Sequence, residues 1–316
     1  MKVCSKVTQG IGFLLFLGMW ILGGCSSCPP GCLGVNLMSK DLVNRDFQKA
    51  NMANANLLKA RLAGANFSDG DLSGAILDES DLSNAKLIRT ALKGAQIRKA
   101  NLGSADLTNA DLSGADLTGS ILTGARLDTA NLSGAVLDKT EMYALTLGGV
   151  DWRAARLGYA LLSGTDLNGS YLAGAYLSRA EFVGGILVLA NLNGAWLNGI
   201  NLSGTNMQGV YLNGASLYAA DLSGCDLRNA KLIGANLVGA KLDGADLRDA
   251  NLTGALLLVS DMVAQGIEIQ DPAIMELNEK DRTALIKDAS FGGTKHNDQT
   301  QWPTRYKIPL SAIYVP

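Results

Sequence analysis

Histidine is almost missing from this chain: His296 stands alone in 316 residues, and only 5 cysteines accompany it. Nucleophilic triads set a histidine beside the nucleophile, and zinc sites draw on Cys/His clusters, so the scarcity leaves little for either. His296 lies in a polar stretch after Gly292-Gly293, and no Ser-Asp partner motif is evident. Charge is sparse too. Charged residues make up 18% and the formal net charge is -2, which speaks against the clustered Lys/Arg of a nucleic-acid-binding surface. Nor is the N-terminal apolar run, Ile11 to Leu22, long enough to cross a bilayer, which takes about 20 apolar residues.

That short run reads instead as an address. Lys2 and Lys6 precede it and Gly23-Gly24-Cys25 follow, the arrangement of a secretory signal. Leu22-Gly23-Gly24-Cys25 resembles the bacterial lipobox. The resemblance implies that residues 1–24 are a signal peptide, that Cys25 is acylated, and that Ser26 favours the outer membrane if the cell is Gram-negative. It also implies a lipid-anchored, extracytoplasmic place in the bacterial cell envelope, held by several acyl chains because one anchors weakly. An uncleaved anchor and a cytosolic chain with an apolar start are the alternatives. Residues 25–36 then form a tether containing Cys28-Pro29-Pro30-Gly31-Cys32, where Cys28 and Cys32 could pair outside the cytoplasm or stay as two thiols. With no second cysteine pair nearby, zinc is a poor reading, and no metal or cofactor is expected. Cys225 stands where the neighbouring repeats have Ala and reads as a small buried filler.

From residue 37 to 265 the chain repeats every five residues. Every fifth position from Leu42 to Met262 is apolar, and all are Leu except Phe47, Met52, Phe67, Ile97, Met142, Trp152, Phe182, Met207 and Met262. The position two before each is almost always Ala, Gly, Ser, Thr or Cys; Ala105-Asp106-Leu107-Thr108-Asn109 shows the pattern undiluted. A five-residue period suits neither a 3.6-residue helix nor a sustained period-2 strand. It suits short extended pieces in which two alternate residues point inward and the next two turn a corner.

The pattern A(D/N)LXX resembles the pentapeptide-repeat family. That resemblance implies an all-β fold, a right-handed quadrilateral β-helix with four pentads per coil and the Leu and small residue facing in. About 11 coils stacked at ~4.8 Å would make a rod roughly 53 Å long. Such a rod is stabilised neighbour by neighbour, so both ends need covering. With 20 residues per coil, residue n lies over n+20, and columns such as Lys86, Asp106, Arg126 or Asp221, Lys241, Asp261 alternate in sign. The family's best-known activity, inhibition of DNA gyrase by acidic rods that mimic duplex DNA, needs a dense anionic field that the 19 Lys/Arg against 22 Asp/Glu of residues 37–265 do not supply.

Between residues 140 and 215 the repeat weakens. The small inward position becomes Leu145, Val150, Ile200 and Val210, which should swell or distort the coil. Outward positions turn aromatic: Tyr171 and Tyr211 share one face, while Tyr176 and Trp196 stack on the adjoining face, in the same column as Arg156. Exposed aromatics mark contact surfaces for proteins or glycans, and Arg156 could add a donor or a cation–π contact. Aromatic ladders also stabilise stacked strands without any partner.

Residues 266–316 break the frame and read as a helical or irregular cap. Asn278-Glu279-Lys280-Asp281 resembles a helix start, with a helix expected near 279–289, and Trp302 and Tyr306 are expected to pack on the final coils. The sequence therefore points to a non-enzymatic, membrane-tethered scaffold that holds an unidentified protein or envelope glycan on its surface. A cytosolic mimic acting on a nucleic-acid enzyme such as gyrase is the alternative, with nucleic acid itself disfavoured as a partner.

Overall fold

The computed structural model describes residues 32–260, 288–304, 306–308, 310 and 312–315. Over these the chain winds as a four-sided β-helix. From Asn36 to Leu256 the residues before the inward Leu form parallel bridges with the residue twenty positions on, Arg126 and Thr146 excepted: Asn36 with Asn56, Asp41 with Arg61, Asp46 with Asn66, Asn51 with Asp71. These four residues head the four faces, and the Asn36 column runs through eleven such steps to Leu256. The Asn36 and Asp46 faces lie on opposite sides of the rod.

The repeat follows from what its backbone amides must find. In a regular pentad, the Leu N–H donates to the coil below (Leu107 to Arg126 O, 2.7 Å) and the preceding N–H donates to the coil above (Asp106 to Ala85 O, 2.9 Å). A third closes the turn (Ala110 to Leu107 O, 2.9 Å) and a fourth, from the corner, goes down again (Asn109 to Asp128 O, 2.9 Å). The fifth amide, just after the Leu, has no ladder partner. The Asn or Asp before the Leu supplies one: Asp106 Oδ1 accepts the Thr108 N–H at 3.0 Å and Asn131 Oδ1 the Ser133 N–H at 3.1 Å. Buried or half-buried amides must be paired, so the acidic or amide side chain of the motif is part of the backbone's own hydrogen bonding.

At several positions where that residue is not Asn or Asp, an Asn or Asp one coil above does the work. Asp78 Oδ1 accepts the Arg98 N–H at 2.8 Å, and Asp138 Oδ1 accepts the Gly158 N–H at 2.8 Å. The corners impose a second demand: every fifth residue from Gly34 to Gly254 has positive φ, and 22 of these corners carry a side chain. A turn closed by an i to i+3 bond with positive φ at its third residue is a type II arrangement, which Gly or Asn accepts most easily.

The lumen is filled. Every residue at the Leu position from Leu42 to Leu257 is buried except the half-buried Phe47 in the first coil. Lys40 and Arg45, which occupy the small inward position in that coil, are exposed at its open end. Larger side chains are accommodated unevenly. Glycine takes the small position only at Gly70 and Gly185, each three residues after a phenylalanine; a Cβ on Gly185 would lie 2.2 Å from Phe182 Cε1. Trp152 has Ala155 in that place, and its own coil also holds Leu145 and Val150. The expected distortion appears there and not at Ile200 or Val210, around which the Asn201 and Tyr211 amides still reach the coil above.

Both ends differ from expectation. Cys32 belongs to the first turn, since Val35 N–H donates to its carbonyl at 3.1 Å, and it is disulfide-bonded; Cys25 and Cys28 lie outside the described residues. The expected helix near 279–289 also falls largely outside them, and Asp288 and Ala289 are not helical. The five-residue frame returns at the C-terminus. Ser290, Lys295 and Gln301 bridge Lys241, Asp246 and Asn251, adding a further coil in which Phe291 and Thr294 are buried. His296 is not in a polar loop. It lies in strand β1 (Lys295–His296), paired in parallel with β2 (Ile313–Tyr314), with its ring edge-on to Trp302 at 5.9 Å and Tyr314 at 5.6 Å. Phe291 meets Trp302 at 5.5 Å and Tyr306 at 5.6 Å, so these rings close the last coil.

Candidate functional site

The aromatic residues lie where the frame puts them. Tyr171, Asn191 and Tyr211 follow one another down the Asn51 face, and Arg156, Tyr176 and Trp196 down the adjoining Asn36 face. Tyr176 and Trp196 are stacked, with ring centroids 5.6 Å apart and planes 19° from parallel. Tyr171 is the most open ring, 54% exposed, and no ring stacks on it or on Tyr211 among the described residues. The corner between the two faces is bare: Gly174, Gly194 and Gly214 all have positive φ and open space where a Cβ would stand. Four rings therefore flank a smooth ridge of backbone.

Placing a tyrosine before the Leu removes the acceptor that the following amide needs. An asparagine relay along the corner restores it: Asn193 Oδ1 accepts the Asn213 N–H at 2.9 Å, and Asn213 Oδ1 accepts the Ile233 N–H at 3.1 Å. Tyr211 and Lys231 are thus released from backbone duty. Arg156 is not free for a cation–π contact with Tyr176, because its guanidinium donates to Asp138 Oδ2 at 3.0 Å.

Elsewhere the surface is electrically quiet. Ion pairs run down the columns and across the corners, as in Arg61–Asp41 at 2.7 Å, Lys241–Asp221 at 3.0 Å and the pair Arg126–Asp106 at 3.7 Å. The Arg89 guanidinium lowers the Asp69 carboxyl by its hydrogen bond, and Arg153 does the same to Asp151. Burial pushes the Cys225 thiol up to about 12, and its Sγ lies 2.9 Å from Leu202 O, as a filler's would. Among the described residues no cluster of His, Cys, Asp and Glu could hold a metal ion.

Two features escaped the sequence. On the far side of the rod Val183, Ile186 and Leu189 form an exposed apolar ledge, signalled only by Ile186 standing where Asn or Asp is usual. A crevice of about 320 Å³ opens on the same face, lined by Gly124, Ala125, Arg126, Asp128, Ala144, Leu145 and Thr146.

Comparison with known proteins agrees with this geometry. The family description "Pentapeptide repeats" matches residues 41–78, 75–114, 110–143, 155–194, 186–224 and 220–257. The chain is a pentapeptide-repeat protein. The matched segments leave out 144–154, the stretch that carries Leu145, Val150 and Trp152. Among solved structures it is similar to HetL, a pentapeptide-repeat protein involved in heterocyst differentiation regulation in the cyanobacterium Nostoc sp. strain PCC 7120. The identity is 30% over 77% of this chain and 93% of that one, with a TM-score of 0.33. A pentapeptide-repeat protein of the Arabidopsis thaliana thylakoid lumen is 32% identical over 34% of this chain and 68% of its own, TM-score 0.22. QnrB1, a plasmid-mediated fluoroquinolone resistance protein, is 16% identical over 58% and 87%, TM-score 0.34. None of the curated proteins compared with the chain matches it.

Proposed function

We propose that this pentapeptide-repeat protein is a non-enzymatic scaffold, tethered to a bacterial envelope membrane by a lipid on Cys25, that holds a partner protein against its Tyr171–Tyr176–Trp196–Tyr211 corner. The observation that carries the reading is the corner itself. Three tyrosines between 40% and 54% exposed stand on two faces of a rod whose other columns are mostly Asn, Asp and ion pairs. Tyrosine and tryptophan offer apolar area with a polar tip and are enriched at contact surfaces. A protein fits better than a glycan because Tyr176 and Trp196 already cover one another's faces, which leaves only Tyr171 and Tyr211 to stack on sugar rings. A filled lumen leaves no interior space for a substrate. Neutralised columns weigh against the gyrase-directed mimic, which needs a dense negative field.

Crosslinking in the native host tests the corner, with the wild type beside Tyr176→Ser/Trp196→Ser. The expected result is a protein adduct lost in the variant, whose stability falls only by the stacking of one aromatic pair, about 0.5–1.5 kcal/mol. Identical adducts in both proteins would remove the corner from the proposal, and a carbohydrate adduct would make the partner a glycan. Globomycin-sensitive processing and membrane fractionation test the tether, and a soluble, uncleaved cytoplasmic product would sink it in favour of the mimic.

A further inference from the structure

One end of the rod departs from the electrical quiet of its sides. Residues 32–63 hold 5 Lys/Arg against 2 Asp/Glu, a net charge of +3. Residues 64–265 hold 14 Lys/Arg against 20 Asp/Glu, a net charge of -6. Within the basic end, Arg61 is paired with Asp41 and Lys59 with Glu79. Lys40 and Arg45 are exposed and make no ion pair among the described residues, and Lys49 is exposed at the next corner.

Lys40 and Arg45 stand where every later coil has an uncharged inward residue. Deeper in the rod a cation at that position would be stranded, unpaired, in a dry lumen, at a large desolvation cost. The mouth lets both charges reach solvent. Behind them Phe47, half-buried, stacks on Phe67 with ring centroids 5.0 Å apart and plugs the lumen. The backbone at this end is open as well. In later coils the amide before the Leu donates to the coil above, as from Arg61 N–H to Lys40 O at 2.9 Å. The corresponding Asp41, Asp46 and Asn51 amides have no acceptor among the described residues. Leu33, 64% exposed, and Met38, 46% exposed, add apolar area at the same end.

Unpaired cations beside exposed aliphatic side chains complement the boundary between anionic headgroups and acyl chains. A second copy met end to end would instead set these cations against their own counterparts. We propose that the N-terminal end of the rod is a membrane-contact surface for anionic phospholipid, seated through Lys40, Arg45 and Lys49. It deepens the tethered reading and rests on it. Cys32 is already in the first turn, so a lipid on Cys25 lies seven residues away, at most ~25 Å of extended chain. So short a link keeps the end at high local concentration beside the bilayer. The net negative remainder of the rod gains nothing from that surface, so the rod stands on its end. Its aromatic corner is then held six to eight coils out, roughly 30–40 Å from the headgroups at ~4.8 Å per coil.

The test uses the full-length chain carrying Cys25→Ser, so that no lipid contributes. Its probes are vesicles of phosphatidylcholine alone or mixed about two to one with phosphatidylglycerol. The readout is the ratio of the two partition coefficients, in which apolar contributions cancel. One Lys or Arg near an anionic surface is worth ~5-fold in that ratio. Lys40→Ala/Arg45→Ala, which restores the usual inward alanine, should therefore lower it at least ~10-fold, and Lys40→Gln/Arg45→Gln should do the same. Lys93→Gln/Lys139→Asn removes equal charge from exposed side positions and should lower it less than ~2-fold. High salt should erase the wild-type preference. The proposal is overturned if both Lys40/Arg45 variants keep the wild-type ratio or if the side pair lowers it as much. An alanine variant that dimerises with its ratio unchanged would make the cations guards against end-to-end stacking, and would overturn it too. Processing in the host reads the tether separately. A globomycin-insensitive chain with the wild-type ratio intact would remove the lipid and keep the surface, and a processed chain with no preference for anionic vesicles would do the reverse.

Discussion

Gly185→Ala is the sharpest test of how this rod is packed. Alanine is the commonest residue at the position, so pattern alone makes the change a return to consensus. Replacing Gly by Ala at compatible backbone angles stabilises by about 0.4–1 kcal/mol through the unfolded chain. The structure reverses the sign. The new Cβ would sit 2.2 Å from Phe182 Cε1 and 2.8 Å from Cδ1 and Cζ, inside a lumen with no slack. Forcing the ring aside costs ~1–3 kcal/mol as overpacking, so the net expectation is a loss of up to about 2.6 kcal/mol. For a rod of this length that lowers the melting temperature by a few degrees at ~2–4 °C per kcal/mol. Phe182→Leu/Gly185→Ala rebuilds the ordinary Leu/Ala pair and should recover to within about 1 kcal/mol of the wild type, giving a favourable coupling in a double-mutant cycle. Thermal and urea unfolding of the four proteins read it out. A stabilising Gly185→Ala, or a double variant no better than the sum of the singles, would refute the account of Phe182 and Gly185 as one packing unit.

Two further outcomes follow from the same contacts. Asp69 and Asp151 have carboxyls held below the ordinary 3.8, first by hydrogen bonds from Arg89 and Arg153. A depressed folded pKa contributes stability that is present above the unfolded value and lost as pH falls through the folded one. Asp69→Asn/Asp151→Asn should therefore lose less stability than the wild type in acid below about pH 4, and parallel acid unfolding curves would contradict this. Phe291→Ala should uncover the last coil: a buried Phe→Ala costs ~3–5 kcal/mol, but nearest-neighbour stacking confines the damage. Hydrogen exchange should quicken at the Leu242, Leu247 and Leu252 amides, which donate to Ser290 O, Lys295 O and Gln301 O, while Leu107 stays protected. Uniform loss across the rod would show that the end coil is not an independent cap.

The fold was legible because its rule is local. A Leu every five residues and a small residue two before it can fill only a narrow square lumen, and the register n over n+20 follows from four such sides. The aromatic corner was legible for the same reason, since Tyr171, Tyr176, Trp196 and Tyr211 inherit their places from the frame. The C-terminal coil was harder to see: one extra residue between His296 and Thr300 breaks the count, and its inward residues are Phe291 and Trp302 instead of Leu.

The linear sequence by itself determined the repeat, the faces and the columns, because each depends on counting along the chain and on which side chains avoid water. It also held the Asn and Asp acceptors, although their duty to the fifth amide becomes visible only when the ladder is closed. Tertiary structure alone decided where the ladder fails. Leu145, Val150 and Trp152 are each tolerable in a single pentad; only their meeting in one coil exceeds the volume that its neighbours leave. The excess emerges at the face beside Leu145. Strain of this kind belongs to the stacked object and to no pentad within it.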